Sequence, residues 1–179
     1  MNLPELVHTA RLVLRRPKSA DADAIFAAYA RDPEVSRYTT WRPHADIEET
    51  RTYLASCNDA WERGSARTYV ITFPGSAAIG ALELRPGIPH PHSVSVGYVL
   101  ARSRWGRGYM SEALTVVVDE LITQGDVFRI WAICDVENRP SARVMEKAGL
   151  RYEALLRRWV IHPNISPDPR DCLSSARVK

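Results

Sequence analysis

The chain has 179 residues, a length typical of one compact domain, so we expect residues 1–179 to form a single domain and exclude a second full one. Its hydrophobic fraction of 45% and charged fraction of 25% are those of an ordinary globular protein, which excludes disorder throughout. With 24 Lys and Arg against 21 Asp and Glu, the net charge of +3 is too close to balance to indicate nucleic-acid binding from composition.

Targeting and metal-binding signals are weak. The sequence has no apolar run near the roughly 18 residues of a membrane span. The N-terminus also lacks the basic start and apolar core of a secretion signal, so we expect a cytoplasmic protein that binds neither membrane nor nucleic acid. Its three cysteines, Cys57, Cys134 and Cys172, are widely spaced and form no CxxC pair. We therefore expect neither a structural disulfide nor a metal site.

The first half of the chain predicts one strand and two helices. Apolar residues alternate with basic ones over residues 10–16, which indicates a half-buried strand. Ser19 is predicted to cap a helix that continues to about residue 32. Residues 37–43 are typical of a loop. Helical spacing then returns over residues 46–64, after an aspartate suited to capping.

The second half changes to a period of two and then back to helical spacing. Three strands with short connections, which favour antiparallel pairing, are predicted over residues 68–73, 77–85 and 93–100. A long helix, a strand, a short helix and a hairpin follow over residues 108–125, 129–134, 138–149, 150–161 and 171–178. These elements predict an α/β (α+β) fold with a twisted, mostly antiparallel mixed sheet of about seven strands and about four helices.

Residues 101–110, which join a strand to the long helix, contain three arginines and no acidic residue. Gly106 and Gly108 allow backbone N–H groups to approach an anion without interference from a Cβ atom. The helix N-terminus adds unpaired donors and about half a positive charge. We therefore expect a phosphate or pyrophosphate here, and the alternative is a tight turn with solvated arginines.

A dinucleotide-binding motif of Rossmann type competes with this interpretation. Gly106, Gly108 and Ser111 approximate G-x-G-x-x-G/A, and Asp135 ends the next strand. Three features oppose it: the glycines lie several residues past the strand, the third position is serine, and too little chain follows for the remaining βα units. The lysine and serine of a P-loop are also missing.

Four segments carry a family resemblance over most of residues 77–175. They are Gly-Tyr-Val-Leu (97–100), Trp-Gly-Arg-Gly-Tyr-Met-Ser-Glu-Ala (105–113), Asn-Arg-Pro-Ser-Ala-Arg-Val-Met-Glu-Lys-Ala-Gly-Leu (138–150) and Arg-Asp (170–171). In this combination the sequence resembles the GNAT superfamily of N-acetyltransferases, and most closely its ribosomal-protein N-terminal (alanine/serine) acetyltransferase branch. The resemblance implies a GNAT-like sheet, acetyl-CoA as cosubstrate and a primary amine as acceptor.

The resemblance also implies which residues bind the cosubstrate. In the family a Q/R-x-x-G-x-G/A loop binds the coenzyme A pyrophosphate through backbone amides, and its leading Gln or Arg falls here on Ser103. The flanking strands are expected to splay apart and receive the pantetheine arm. Asn138 matches the family residue that hydrogen-bonds this arm, and a helix N-cap role is equally open. The implied binding residues are Val99, Leu100, Arg102, Arg104, Trp105, Gly106, Arg107, Gly108, Tyr109, Met110, Asn138 and Ser141.

Acetyl transfer from a thioester to an amine needs a neutral amine, donors for the developing oxyanion and a proton for the departing thiolate. The tyrosine acid of many relatives falls on Met145, so Ser141 becomes the candidate donor to the thiolate. The glutamate that often acts as base falls on Ser95. Glu83 or Glu137 would replace it, and each is alternatively a solvated carboxylate. The catalytic candidates are therefore Ser141, Glu83 and Ser95.

A weak base suits an α-amine better than a lysine. An α-amine with a pKa of about 7.7 to 8 is about one third neutral at pH 7.5, whereas a lysine near 10.4 needs about 4 kcal/mol to lose its proton. The acceptor is therefore expected to be a protein N-terminus or a low-pKa small-molecule amine, with both monomer and homodimer open. The alternatives are a coenzyme A-binding sensor that lost its chemistry and the disfavoured dinucleotide binder.

The remaining aromatic, histidine and cysteine residues are interpreted as structural or solvated. We expect the histidines, His162 among them, to be surface polar residues. Cys134 is expected to be an inert buried thiol. Tryptophans at four positions are expected to pack in or near the core, namely Trp41, Trp61, Trp131 and Trp159.

Overall fold

A computed structural model describes residues 4–87 and 89–179. Position 88, in the predicted turn between two strands, lies outside the described residues. The strands form one eight-stranded sheet in the order β1-β2-β3-β4-β5-β6-β8-β7. Their bounds are Leu6–His8, Val13–Arg15, Arg67–Thr72, Ala78–Pro86, Ser93–Leu100, Arg129–Asp135, Arg151–Ile161 and Pro169–Val178 for β1 to β8.

Among the described residues, six of the seven neighbouring strand pairs are antiparallel and only β5 and β6 run parallel. This pattern confirms the predicted mixed, mostly antiparallel sheet. It disagrees with a Rossmann-type binder, which needs a largely parallel sheet.

In residues 4–87 and 89–179, five α-helices accompany the sheet: α1 Ala22–Ile25, α2 Pro33–Ser36, α3 Ile47–Glu62, α4 Tyr109–Thr123 and α5 Arg139–Lys147. The predicted long helices are confirmed as α3 and α4. Asp46 caps α3 as expected, because its carboxylate accepts the N–H groups of Glu48 and Glu49 at 2.8 and 3.1 Å.

The N-terminal region differs from the prediction in two places. The expected strand over residues 10–16 is shorter and is preceded by an additional strand, because a turn closed by a hydrogen bond from Thr9 N–H to the Leu12 carbonyl (2.9 Å) separates β1 from β2. The expected helix from Ser19 is a 3-10 turn, the short α1 and a π-helical turn, Phe26–Ala30. It begins after Lys18, whose N–H binds the Asp21 carboxylate at 2.8 Å.

Helices cover both faces of the sheet. On one face α4 buries Leu114, Val117 and Leu121 completely against the sheet. On the other face α1 and α3 bury Ile25 and Leu54. In the described part of the chain, no helix has both the length and the apolar character that crossing a bilayer requires.

The sheet opens between β5 and β6. These strands pair only at their starts, with Ser93 opposite Arg129 and Ser95 opposite Trp131. Beyond Ser95, β5 continues alongside β4 to Leu100 while β6 continues alongside β8. The predicted divergence is therefore present, and we call the resulting space the β5–β6 gap.

Candidate active site

The loop after β5 has the backbone geometry expected of an anion site. A 3-10 turn, Arg102–Arg104, leads into Gly106 and Gly108, whose φ angles are +73° and +77°. An L-residue is strained in this left-handed region, and a Cβ at Gly106 would meet nothing within 4 Å. The glycine is therefore required by the backbone path and not by crowding.

The first turn of α4 offers free amides to that loop. Gly108 stands at the N-cap position, and no side chain caps this helix in the described residues. N–H groups of a helix's first turn have no partner within the helix. Together with the helix dipole, they form an electropositive concavity suited to a pyrophosphate.

The predicted cosubstrate-binding side chains differ in accessibility. Arg102 and Arg107 are exposed, whereas the Met110 side chain is buried in the core, so only the main chain of Met110 is available to a ligand. Trp105 is 46% exposed, and its indole N–H donates to the Leu100 carbonyl at 2.7 Å. This bond ties the loop to the end of β5, while Val99, next to Leu100, packs on the α1 side.

Ser141 lies against a residue that sequence reasoning did not select. The Tyr98 hydroxyl lies 2.8 Å from Ser141 Oγ and 3.0 Å from the Ser141 carbonyl oxygen, so β5 and α5 are joined beside the gap. Tyr98 belongs to the Gly-Tyr segment of the family resemblance. Its alternation with the buried Val94 and Val96 is typical of a core residue, and the sequence holds no local signal of its partner.

Burial defines the protonation states around Ser141. It raises the pKa of Tyr98, which Ser141 lowers to a smaller extent, so the phenol keeps its proton. Burial likewise raises the pKa of Cys134 to about 11, with a smaller opposing effect of a Ser141 hydrogen bond. The predicted buried thiol is confirmed, because Cys134 is only 6% exposed.

Asn138 fulfils the structural role anticipated for it. Its side-chain oxygen accepts the Ser141 N–H at 3.2 Å and so caps α5. Met145, at the position of the family tyrosine, is 1% exposed and belongs to the core. The thioether at this position therefore packs in the core and has no proton to donate.

The other two catalytic candidates, Glu83 on β4 and Ser95 on β5, lie on the face of the sheet opposite the Tyr98 side chain. Glu83 accepts a hydrogen bond from Thr68 Oγ1 at 2.9 Å and forms an ion pair with Arg85. It is directly opposite Gly97, where an added Cβ would meet nothing within 4 Å. Ser95 Oγ donates to the Arg85 carbonyl at 3.3 Å. Neither Glu83 nor Ser95 contacts Ser141 among the described residues, because successive side chains of a strand alternate between faces.

A buried charged cluster closes the end of β6. Asp135 is fully buried and accepts bonds from Arg170 Nε at 2.6 Å and from the Glu137 N–H at 2.9 Å. Burial alone would raise the pKa of Asp135, but these bonds and the nearby charge of Arg170 lower it overall. Glu137 pairs with Arg170 at 3.0 Å while its side chain is 59% exposed, so it is a solvent-exposed carboxylate held in an ion pair.

The expectation for His162 was wrong. This residue is 5% exposed, with Nε2 3.7 Å from Asp135 Oδ2 and Nδ1 3.4 Å from the Thr39 carbonyl oxygen. It is buried because residues 37–43 and 162–170, about 120 positions apart in sequence, meet over it. Trp159, expected to pack, is instead 56% exposed on the edge strand β7.

The same two loops, together with the start of α2, line an open groove of about 600 Å³. Asn164 joins them, since its amide donates to the carbonyls of Ser36 and Trp41 at 2.6 and 2.8 Å. Two arginines are among the lining residues, which are Pro33, Glu34, Arg37, Arg42, Pro163, Asn164 and Ile165. One lining residue, Pro163, directly follows His162, whose Nε2 lies 3.7 Å from Asp135 Oδ2 in the cluster at the end of β6.

Comparison with known proteins agrees with this geometry. The family model described as "Acetyltransferase (GNAT) domain" matches residues 11–151. The uncharacterized N-acetyltransferase p20 of Bacillus licheniformis is 31% identical over 154 residues, which is 86% of each chain. The ribosomal-protein-serine acetyltransferase of Escherichia coli (strain K12) is 27% identical over 110 residues, 62% of this chain and 61% of that protein.

A solved structure shares the fold over almost its whole length. RimL, a ribosomal L7/L12 α-N-protein acetyltransferase in complex with coenzyme A, superimposes with a TM-score of 0.86 at 23% identity. The match covers 97% of this chain and 98% of that one.

Proposed function

The chain belongs to the GNAT family of acetyltransferases, whose acetyl donor is acetyl-CoA, and from this premise we propose that it acetylates a primary amine by direct attack in a ternary complex. The observation that carries the proposal is the β5–β6 gap. The loop of residues 101–108, which we call the glycine loop, follows the end of β5 at this gap, and the Tyr98–Ser141 pair lies beside it. A carrier bound at the loop through its phosphates would extend an arm along the gap toward Ser141.

Different residues are proposed to bind different parts of acetyl-CoA. The amides of residues 106–110 hold the pyrophosphate, because those of Arg104 and Trp105 already donate to the Ala101 and Arg102 carbonyls. Arg102, Arg104 and Arg107 supply positive charge around it. Asn138 uses its side-chain oxygen for the α5 cap, which leaves its NH2 group to donate to the pantetheine arm. The cap therefore orients Asn138 for binding, and the two roles proposed for it are compatible.

Ser141 is the proposed donor to the sulfur. As the amine nitrogen bonds to the thioester carbon, the C–S bond breaks and the sulfur leaves as a thiolate that needs a proton. The single Tyr98 O–H hydrogen is shared between the Ser141 carbonyl and Ser141 Oγ. With Tyr98 as hydrogen-bond donor to Oγ, the Ser141 hydroxyl hydrogen is free to point at that thiolate. Burial keeps Tyr98 protonated, so the pair acts as one oriented donor.

Glu83 is the proposed recipient of the amine's proton, through water. Its carboxylate is positioned by Thr68 and Arg85 and faces the open space above Gly97. Ser95 lies at the start of the gap, but its hydroxyl is occupied by the Arg85 carbonyl, so its proposed role is to line the site.

The acceptor is proposed to be a low-pKa amine, with a protein N-terminus favoured over lysine. A remote base such as Glu83 suits an amine that is already partly neutral. RimL, named as an α-N-protein acetyltransferase, shares the fold. The test compares a peptide with a free α-amine and blocked lysine against the same peptide with a blocked α-amine and free lysine. A higher kcat/KM for the lysine peptide would refute the preference.

The entrance for this acceptor is proposed to lie at the groove between residues 37–43 and 162–167. Arg42 contributes to its wall, and His162 connects both loops to the end of β6. An Arg42→Gln variant should change KM for the acceptor and leave KM for acetyl-CoA as it was. A change in the KM for acetyl-CoA alone would contradict this location of the acceptor entrance.

The activity itself is tested by release of free thiol from acetyl-CoA in the presence of an amine library, followed by mass identification of the acetylated atom. Separate titrations with coenzyme A and NAD measure binding. Binding of coenzyme A without turnover on any amine would support the sensor alternative. Binding of neither would refute the proposed site.

A further inference from the structure

The glycine loop is held from outside by the turn between β1 and β2. Glu112, in the first turn of α4, accepts three hydrogen bonds from that turn: from Thr9 Oγ1 at 2.5 Å, from the Arg11 N–H at 2.8 Å and from Arg11 Nε at 2.6 Å. Glu112 is only 17% exposed in its side chain. A segment about 100 residues away in sequence therefore fixes the start of the helix.

Arg11 also contacts the loop itself. Its Nη1 donates to the Arg107 carbonyl at 3.3 Å, and its guanidinium lies 4.5 Å from the centre of the Tyr109 ring. The Tyr109 ring meets Phe73 edge to face at 5.0 Å, and Arg104 lies 5.3 Å from the centre of Phe73. The row Arg11–Tyr109–Phe73–Arg104 therefore connects the two ends of the loop.

Because Glu112 is negatively charged, Arg11 has an electrostatic role in addition to its structural contacts. A carboxylate in the first turn of a helix is stabilised by the helix dipole, but here it lies one turn from Gly108 and would repel a pyrophosphate. Arg11 places a positive charge on that carboxylate. By drawing the Arg107 carbonyl toward itself, it also keeps an oxygen away from the ligand's phosphates.

We propose that Arg11 is a positioning residue for acetyl-CoA: it neutralises Glu112 and orients the Arg107 peptide so that the loop amides face the pyrophosphate. The inference rests on the proposed function, since it assumes that this loop binds the pyrophosphate. It assigns to the N-terminal turn, which lies outside the G-x-G segment, an effect on cosubstrate affinity that acts through Glu112 and the Arg107 peptide.

The test is a double-mutant cycle with Arg11→Met, Glu112→Gln and the double variant, read by calorimetric titration with coenzyme A. Arg11→Met should weaken binding about five- to tenfold, the size expected for an uncompensated charge near a helix terminus. Removing the carboxylate as well should restore part of the affinity, so the double variant should bind more tightly than Arg11→Met. A purely structural role predicts the opposite order.

Arg16→Met is the matched control. Arg16 likewise pairs with a carboxylate, that of Glu62, and lies 5.7 Å from an aromatic ring centre, that of Trp61, yet it has no contact with the loop among the described residues. The Arg16→Met variant should bind coenzyme A with the same affinity as the wild type. Thermal melting of all variants reports folding, and Arg11→Gln replaces Arg11→Met if that variant unfolds.

The outcomes separate the two hypotheses. A wild-type chain that does not bind coenzyme A contradicts the proposed function itself. Tight wild-type binding with equal affinities in Arg11→Met and Arg16→Met overturns the positioning role. In turnover, the expected Arg11→Met signature is a raised KM for acetyl-CoA with kcat at saturation within about twofold, the sign of lost uniform binding.

Discussion

The Tyr98→Phe substitution tests the proposed donor most directly, because it removes one oxygen atom and leaves the ring. That oxygen makes contacts of 2.8 and 3.0 Å with Ser141. Loss of one buried hydrogen bond costs about 1 kcal/mol of the unfolding free energy. For a chain of this size, this lowers Tm by about 2–4 °C.

The effect on turnover should be larger than the effect on stability. A positioned general acid contributes about 10²- to 10⁴-fold, and Tyr98→Phe leaves Ser141 present but free to rotate. We expect kcat to fall about 10- to 100-fold, part of that contribution, with KM for acetyl-CoA nearly unchanged. A continuous thiol-release assay at saturating acetyl-CoA and amine measures this split.

Tyr69→Phe is the matched control for that experiment. Tyr69 is also buried, and its hydroxyl donates to the Pro4 carbonyl at 2.7 Å, away from the gap. This variant should lose a similar amount of stability and keep its kcat. The reasoning is refuted if Tyr98→Phe retains full kcat, or if Tyr69→Phe loses as much. Ser141→Ala combined with Tyr98→Phe should be no slower than Ser141→Ala alone, because the two residues act as one unit.

Three further outcomes follow from the geometry. Gly106→Ala should lose about 1–2 kcal/mol of unfolding free energy from its positive φ and weaken coenzyme A binding in calorimetry, whereas Gly64→Ala, at φ +68° with equally open space, should lose stability alone. Cys134, with its pKa raised to about 11, should react with iodoacetamide at least about 100-fold more slowly in the native chain than in urea, by peptide mass mapping. Because the pKa of Asp135 is lowered on folding, its stabilisation exists above an unfolded pKa of about 3.9 and is lost as pH falls through the folded value. The free energy of unfolding measured in urea should therefore fall more steeply below pH 4 for the wild type than for Asp135→Asn. Equal slopes would contradict the lowered pKa of Asp135.

Local patterns were sufficient for much of the fold. The Asp46 cap and the spacing of buried residues define α3 without reference to the rest of the chain. The two glycines of the loop likewise determine their own backbone path. These features depend on residues within a few positions of one another, so the sequence displays their cause.

What the sequence did not reveal depends on distant contacts. The burial of His162 requires two loops to meet across more than 120 residues, and the partner of Tyr98 is 43 positions away on another element. The β1–β2 turn was missed because its apolar alternation continues through a reversal that one backbone hydrogen bond closes. Periodicity describes one element at a time and does not show which elements become neighbours.

The β5–β6 gap has a consequence for the energetics of the unliganded chain. Where the strands part after Ser95, each leaves main-chain donors and acceptors on its inner side without the cross-strand partners that an uninterrupted sheet would supply. A variant whose pairing continued to the ends of both strands would satisfy those groups internally and gain stability. It would also close the space between the two strands to any ligand, so this protein has a less stable sheet and, in return, an open binding site.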